Sequence, residues 1–130
     1  HQQITHEWWD KALPLYEHYI SPVVLEEISR GEPKAAESRL QKVKSFSLLE
    51  VVPEVNELAN LYYSELDIPE KAVADAFHLA LATWHGMDFL ISWNCKHIVN
   101  GRVKLGLEEI NTTRGHRTPL ICTPEELMEV

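Results

Sequence analysis

Positive charge is scarce in this 130-residue chain: 12 Lys and Arg stand against 20 Asp and Glu, a formal net charge of −8. That deficit argues against a passive nucleic-acid binder, whose affinity comes mainly from basic contacts to phosphate. It remains compatible with an acidic protein that acts on nucleic acid through carboxylates converging on divalent cations. Long apolar runs are also missing. None approaches the ~20 residues that a bilayer span needs, which excludes a membrane helix. No charged-then-apolar leader opens the chain, so nothing marks it for export. Cysteine is limited to Cys95 and Cys122, which lack metal-type spacing, and two reduced thiols in a cytoplasm are expected. Repeats, low-complexity tracts and linkers are absent, so residues 1–130 read as one domain with enough length for a real core.

What is present alternates between helical and strand-like stretches. Trp8, Trp9, Leu13, Tyr16 and Ile20 recur near helical spacing, with Pro14 dividing the segment into two short pieces. "YIS" reads as a brief strand and "PVVLEEISRG" as a short helix, Pro22 in its first turn and Gly31 just past its end. Helix formers dominate "EPKAAESRLQKVKSF", and "SLLEVV" is a β-branched run ended by Pro53. A helix follows from "PEVNELANLYYSELD", and another from Pro69 and Glu70 to Gly86. "MDFLISW" is nearly all apolar, as a strand covered on both faces is. "RVKLGLEEINTTRG" is helical, "PLICT" strand-like and "PEELMEV" a last helical turn. Such alternation predicts an α/β fold, a small and mainly parallel sheet between helices on both faces. A sheet of three or four strands entered by a helix would satisfy it, and an N-terminal strand is missing from the expected order.

In open α/β sheets functional groups gather at the carboxyl ends of strands. Three candidates fall there: Glu27 on the helix after "YIS", Asp75 early on the helix before "MDFLISW", and Asn94 closing that strand with His97 three residues on. On a helix His78, Leu79 and Ala82 share the face of Asp75, whereas Phe77, Leu81 and Trp84 form an apolar stripe suited to the core. An acid at the margin of a buried helix is paired, hydrogen-bonded or metal-bound. On spacing alone an ion pair or cap is the commoner role. For Glu26 and Glu27 the ordinary reading is a solvated face. Adjacent helical residues diverge by about 100°, so at most one points toward a given site. His97 alone is more often a satisfied histidine than a ligand, and Asp88 reads as a turn residue.

Taken in order, these pieces resemble a PIN domain, specifically the VapC-type toxins of bacterial toxin–antitoxin pairs. The likeness spans nearly the whole chain and is strongest in "ISPVVLEEISRGEP", "DAFHLALATWHGMDFLISWNCKHI" and "TPLICTPEEL". Glu27-Ile28-Ser29-Arg30-Gly31 matches a Glu-Ile/Leu-x-x-Gly element after the second strand. Asp75-Ala76 followed by Ala80 matches an Asp-Ala-x-x-x-Ala helix. Ser92 and Asn94 in "SWN" match a Thr-x-Asn/Asp element. Two departures stand out. No segment like Asp/Glu-Thr-Ser precedes His1, and Asn94 or His97 occupies the place where many relatives carry Asp.

The resemblance implies a three-layer α/β/α sandwich and metal-dependent hydrolysis of RNA. Glu27 and Asp75 would be ligands of Mg²⁺ or Mn²⁺, joined by Asn94 or His97. Asn94 and Ser92 would orient water or phosphate, Lys96 and Arg30 would contact phosphate unless they are ordinary surface cations, and His78 would support Asp75 or pack at the core edge. Homodimerisation and silencing by an antitoxin protein are further expectations, with Trp8, Trp9, Tyr62 and Tyr63 as contact aromatics. For the two tyrosines core packing competes on even terms, since both follow Leu58 and Leu61 on a helix. Two alternatives remain: a PIN-like module that binds RNA or protein without cutting, and a small α/β domain whose acids are structural.

Overall fold

Four short strands and five helices alternate in a computed structural model that describes residues 13–91 and 101–122. After a 3-10 turn at Leu13–Leu15 come β1 (Tyr19–Ile20), α1 (Pro22–Ile28), α2 (Pro33–Val43), β2 (Ser47–Leu48) and α3 (Pro53–Glu65). A second 3-10 turn, Glu70–Ala72, leads into α4 (Val73–Trp84), followed by β3 (Phe89–Ile91), α5 (Gly101–Thr113) and β4 (Leu120–Cys122). β1 pairs in parallel with β2, Tyr19 opposite Ser47, and β3 pairs in parallel with β4, Phe89 opposite Leu120. The fold is thus mixed α/β and mainly helical, with two separate parallel pairs among the described residues. Parallel pairing needs a crossover between partners, and α1–α2 and α5 supply it.

Local chemistry explains most boundaries. Ser21 Oγ accepts a hydrogen bond from Val24 N–H at 3.0 Å and Pro22 fills the first turn, which starts α1. Glu32 caps α2 in the same way, through Ala35 N–H at 2.9 Å. Gly86, at φ 69°, takes the left-handed conformation that ends α4, where a Cβ would be strained.

Three expectations change. "SLLEVV" gives only a two-residue strand at Ser47–Leu48, both residues exposed, because its single neighbour β1 is itself two residues long. In "MDFLISW" the strand covers Phe89–Ile91, half-buried rather than covered on both faces, since β4 is its one partner among the described residues. Trp84 is not a core residue but 37% exposed, as it sits on the last turn of α4 at the rim of a groove beside α3, and its ring meets His116 at 5.6 Å.

The core lies between α3, α4 and α5. Val55, Leu58 and Tyr62 of α3 meet Ala76, Leu79 and Ala80 of α4 and Val103 and Leu107 of α5. Alanines at 76 and 80 let α3 and α4 approach closely. Gly106 does the same for α5, since a Cβ there would stand 2.7 Å from Leu66 Cδ2. A polar chain crosses this core: the Tyr62 hydroxyl donates to Asn111 Oδ1, and Asn111 Nδ2 donates to Thr118 Oγ1 at 3.0 Å. Tyr62 is fully buried, so it is not a contact aromatic; Tyr63 is half-buried against the same core, and Trp8 and Trp9 lie outside the described residues. No helix among the described residues is long and apolar enough to cross a membrane.

Candidate functional site

Helix α1 is only seven residues long, and its carboxyl end is fixed from outside. Arg39 of α2 donates to the Ile28 carbonyl at 3.1 Å and to the Arg30 carbonyl at 2.8 Å, satisfying groups that a helix end leaves unpaired. Gly31, at φ 95°, turns the chain there. These contacts hold the last turn of α1, which carries Glu26 and Glu27. The two side chains diverge as helical geometry requires. Glu26 takes Arg30 in an exposed i,i+4 ion pair at 2.6 Å, and Glu27 is exposed in a different direction.

The charge of Glu27 reaches His78. That imidazole sits half-buried one turn after Asp75 on α4. Burial holds its pKa below the usual 6.5, while the negative charges of Glu27 and, to a smaller degree, Asp75 pull it upward. One side chain therefore feels two carboxylates that lie 48 positions apart in sequence and on separate helices. Asp75 is half-buried in the first turn of α4, whose amino end has no side-chain cap, a position where the helix dipole favours negative charge. The Phe77 and His78 rings meet edge to face at 5.9 Å, tying the imidazole to the margin of the core.

Arg30 is engaged by Glu26. Ser92, Asn94, Lys96, Cys95 and His97 lie outside the described residues. Among the described residues no group of three His, Cys, Asp or Glu side chains is arranged to hold a metal ion. Asp88 is more than a turn residue: its carboxylate pairs with Arg117, and its carbonyl accepts from Leu120 N–H at 2.9 Å, opening the β3–β4 ladder.

Two features were not anticipated from the sequence. His78, expected to support Asp75 or to pack at the core edge, carries the charge influence of both acids. Beside it, a groove of about 310 Å³ lies between α1, α3 and α4, lined by Val23, Asn56, Asn60, Val73 and Phe77 among others. The signal for it was the Asn pair in "PEVNELANLYY", four residues apart and so on one face of α3. A second groove of about 420 Å³ lies between α3, Trp84, Arg114 and His116.

Chemically, the pair of acids offers hard oxygen donors beside an imidazole that burial keeps neutral near pH 7. No protein-family model, curated protein or solved structure matches the chain.

Proposed function

We propose that this chain is a metal-dependent endoribonuclease of the PIN type, the toxin of a toxin–antitoxin pair, with Mg²⁺ or Mn²⁺ held at Glu27 and Asp75. The single observation that carries the reading is that the charges of Glu27 on α1 and Asp75 on α4 both raise the pKa of His78 against the effect of its burial. The full proposal includes a three-layer α/β/α sandwich, a cytoplasmic homodimer and an antitoxin partner.

The donor set fits the ion. Mg²⁺ prefers oxygen, keeps several waters and is commonly held by one or two carboxylates. When bound, such an ion lowers the pKa of a coordinated water and offsets charge on the phosphate. The chain's own residues do the rest. Glu27 and Asp75 supply the negative charge. His78, neutral at pH 7, offers a hydrogen bond without adding a positive charge that would compete with the cation. Asn94 and Ser92 orient water or phosphate in this reading, with His97 a possible additional ligand and Lys96 a phosphate contact.

Cleavage of RNA by the full chain in Mn²⁺, followed on gels, tests the proposal. Asp75→Asn removes a charge at constant shape and is expected to abolish cleavage. Turnover equal to that of the parent protein would show that Asp75 has no such role. Cleavage absent from the parent, with RNA still bound, would favour a silent binding module instead.

A further inference from the structure

The groove beside His78 has polar chemistry with no internal use. Asn56 and Asn60 are exposed at its wall, and neither side-chain amide hydrogen-bonds to another described residue. The two lie one turn apart on α3, so their amide groups line up along one face. Phe77 of α4 lines the same groove, half-buried against the core and in contact with the His78 ring. Val23 stands one turn before Glu27 on α1, and Val73 stands two residues before Asp75, so the groove is bounded by the elements that carry both acids. Its volume of about 310 Å³ is at the small end for ligand pockets, suited to one flat ring system rather than to a peptide helix.

An aromatic ring and paired amides in one groove form the arrangement that recognises an unstacked base: the ring stacks, and an Asn side chain gives and accepts one hydrogen bond each along a base edge. We propose that this groove is a nucleobase subsite for single-stranded RNA, with Phe77 as the stacking surface, Asn56 and Asn60 as the reading groups, and adenine the preferred base. It rests on the ribonuclease reading for its substrate class and deepens it: the base seated here sets which phosphodiester lies over Glu27 and Asp75. Adenine is chosen because its amino group and adjacent ring nitrogen pair with one amide in a bidentate fashion.

The test measures binding rather than turnover. Fluorescence anisotropy of the full chain with hexameric oligo(A), oligo(U) and oligo(C) RNA, in Ca²⁺ and low salt, reads base preference, and gels run alongside check that the strands stay intact. The parent protein is expected to bind oligo(A) most tightly. Asn56→Ala and Asn60→Ala, both at exposed positions, should each weaken oligo(A) on the order of tenfold and leave the other two nearly unchanged. Phe77→Leu keeps an apolar side chain and should weaken all three strands together, since stacking tolerates any base. Equal affinity for the three strands, no measurable binding, or Asn variants that keep the parent ranking would each overturn the subsite. The two readings separate cleanly. Base ranking that responds to the Asn variants in a protein that never cuts RNA would remove the nuclease and leave the subsite. Cleavage that depends on Asp75 but ignores base identity would do the reverse.

Discussion

Around Tyr62 and around His78 the fold treats polar groups in opposite ways. Tyr62 and Asn111 are completely buried, and the chain from hydroxyl to amide to Thr118 hydroxyl joins α3, α5 and the approach to β4. His78 sits half-buried at the margin of the core, and the charges of two acids act on it. In the first region burial makes each hydrogen bond structurally necessary, because an unsatisfied polar group cannot turn to water. In the second, solvent still shares the electrostatic work, and the groups remain available to an outside ligand. Stability should therefore depend on the first region and ligand affinity on the second.

The largest effect on stability is expected at the node. Tyr62→Phe keeps the ring and removes the hydroxyl, leaving Asn111 Oδ1 without its donor. The cost is about 1–3 kcal/mol, read from the urea midpoint of full-chain unfolding. The Thr83 hydroxyl, buried beside the same phenol, meets no partner at good hydrogen-bond geometry among the described residues, so it does not compensate. If Tyr62→Phe unfolded at the same urea concentration as the parent, the contrast between the regions would fail at its first half.

The sequence made the two regions unequally visible. Helix α4 was legible because Pro69, Glu70 and Gly86 punctuate it, and α3 because Pro53 opens it. That Glu27 and Asp75 both act on His78 could be expected only from resemblance, since no local pattern relates residues 48 positions apart. The role of Tyr62 was hidden for a different reason. Tyr62 and Tyr63 are adjacent and chemically alike, and only the position of α5 decides which ring is enclosed. Likewise Trp84 continues the apolar stripe of α4, but it borders an open groove beside α3 and stays 37% exposed. Periodicity gives the face and not its cover.

At the rim the expected effect on stability is smaller and appears as a pH dependence. Burial depresses the His78 pKa in the folded state below the value near 6.5 of the unfolded chain. As pH falls through 6.5 the unfolded chain takes up a proton that the folded protein still refuses, so stability declines until the folded pKa is passed. Thermal melts of the parent between pH 7.5 and 5 should show this loss, and His78→Gln should reduce the slope. The carboxylates limit the loss because they favour the protonated ring. A variant slope equal to that of the parent would mean that His78 is as solvated as an ordinary surface histidine.

Glu26 and Glu27 give the sharpest version of the comparison, with almost no stability at stake. Both are exposed neighbours on α1, and either can become glutamine for about 0.5 kcal/mol or less. Glu26→Gln gives up an exposed ion pair with Arg30, a contact of the kind that contributes little. Glu27→Gln breaks no ion pair among the described residues but removes the charge with the larger effect on His78. Calorimetric titration with Mn²⁺ should then lose roughly tenfold or more in affinity for Glu27→Gln, by the conversion of about 1.4 kcal/mol per decade, and change little for Glu26→Gln. Proximity in sequence would predict similar losses, because the two residues share one helical turn. Only the roughly 100° between adjacent side chains separates them. Equal losses would mean that the ion answers to the general acidity of this surface and not to a site shared by α1 and α4.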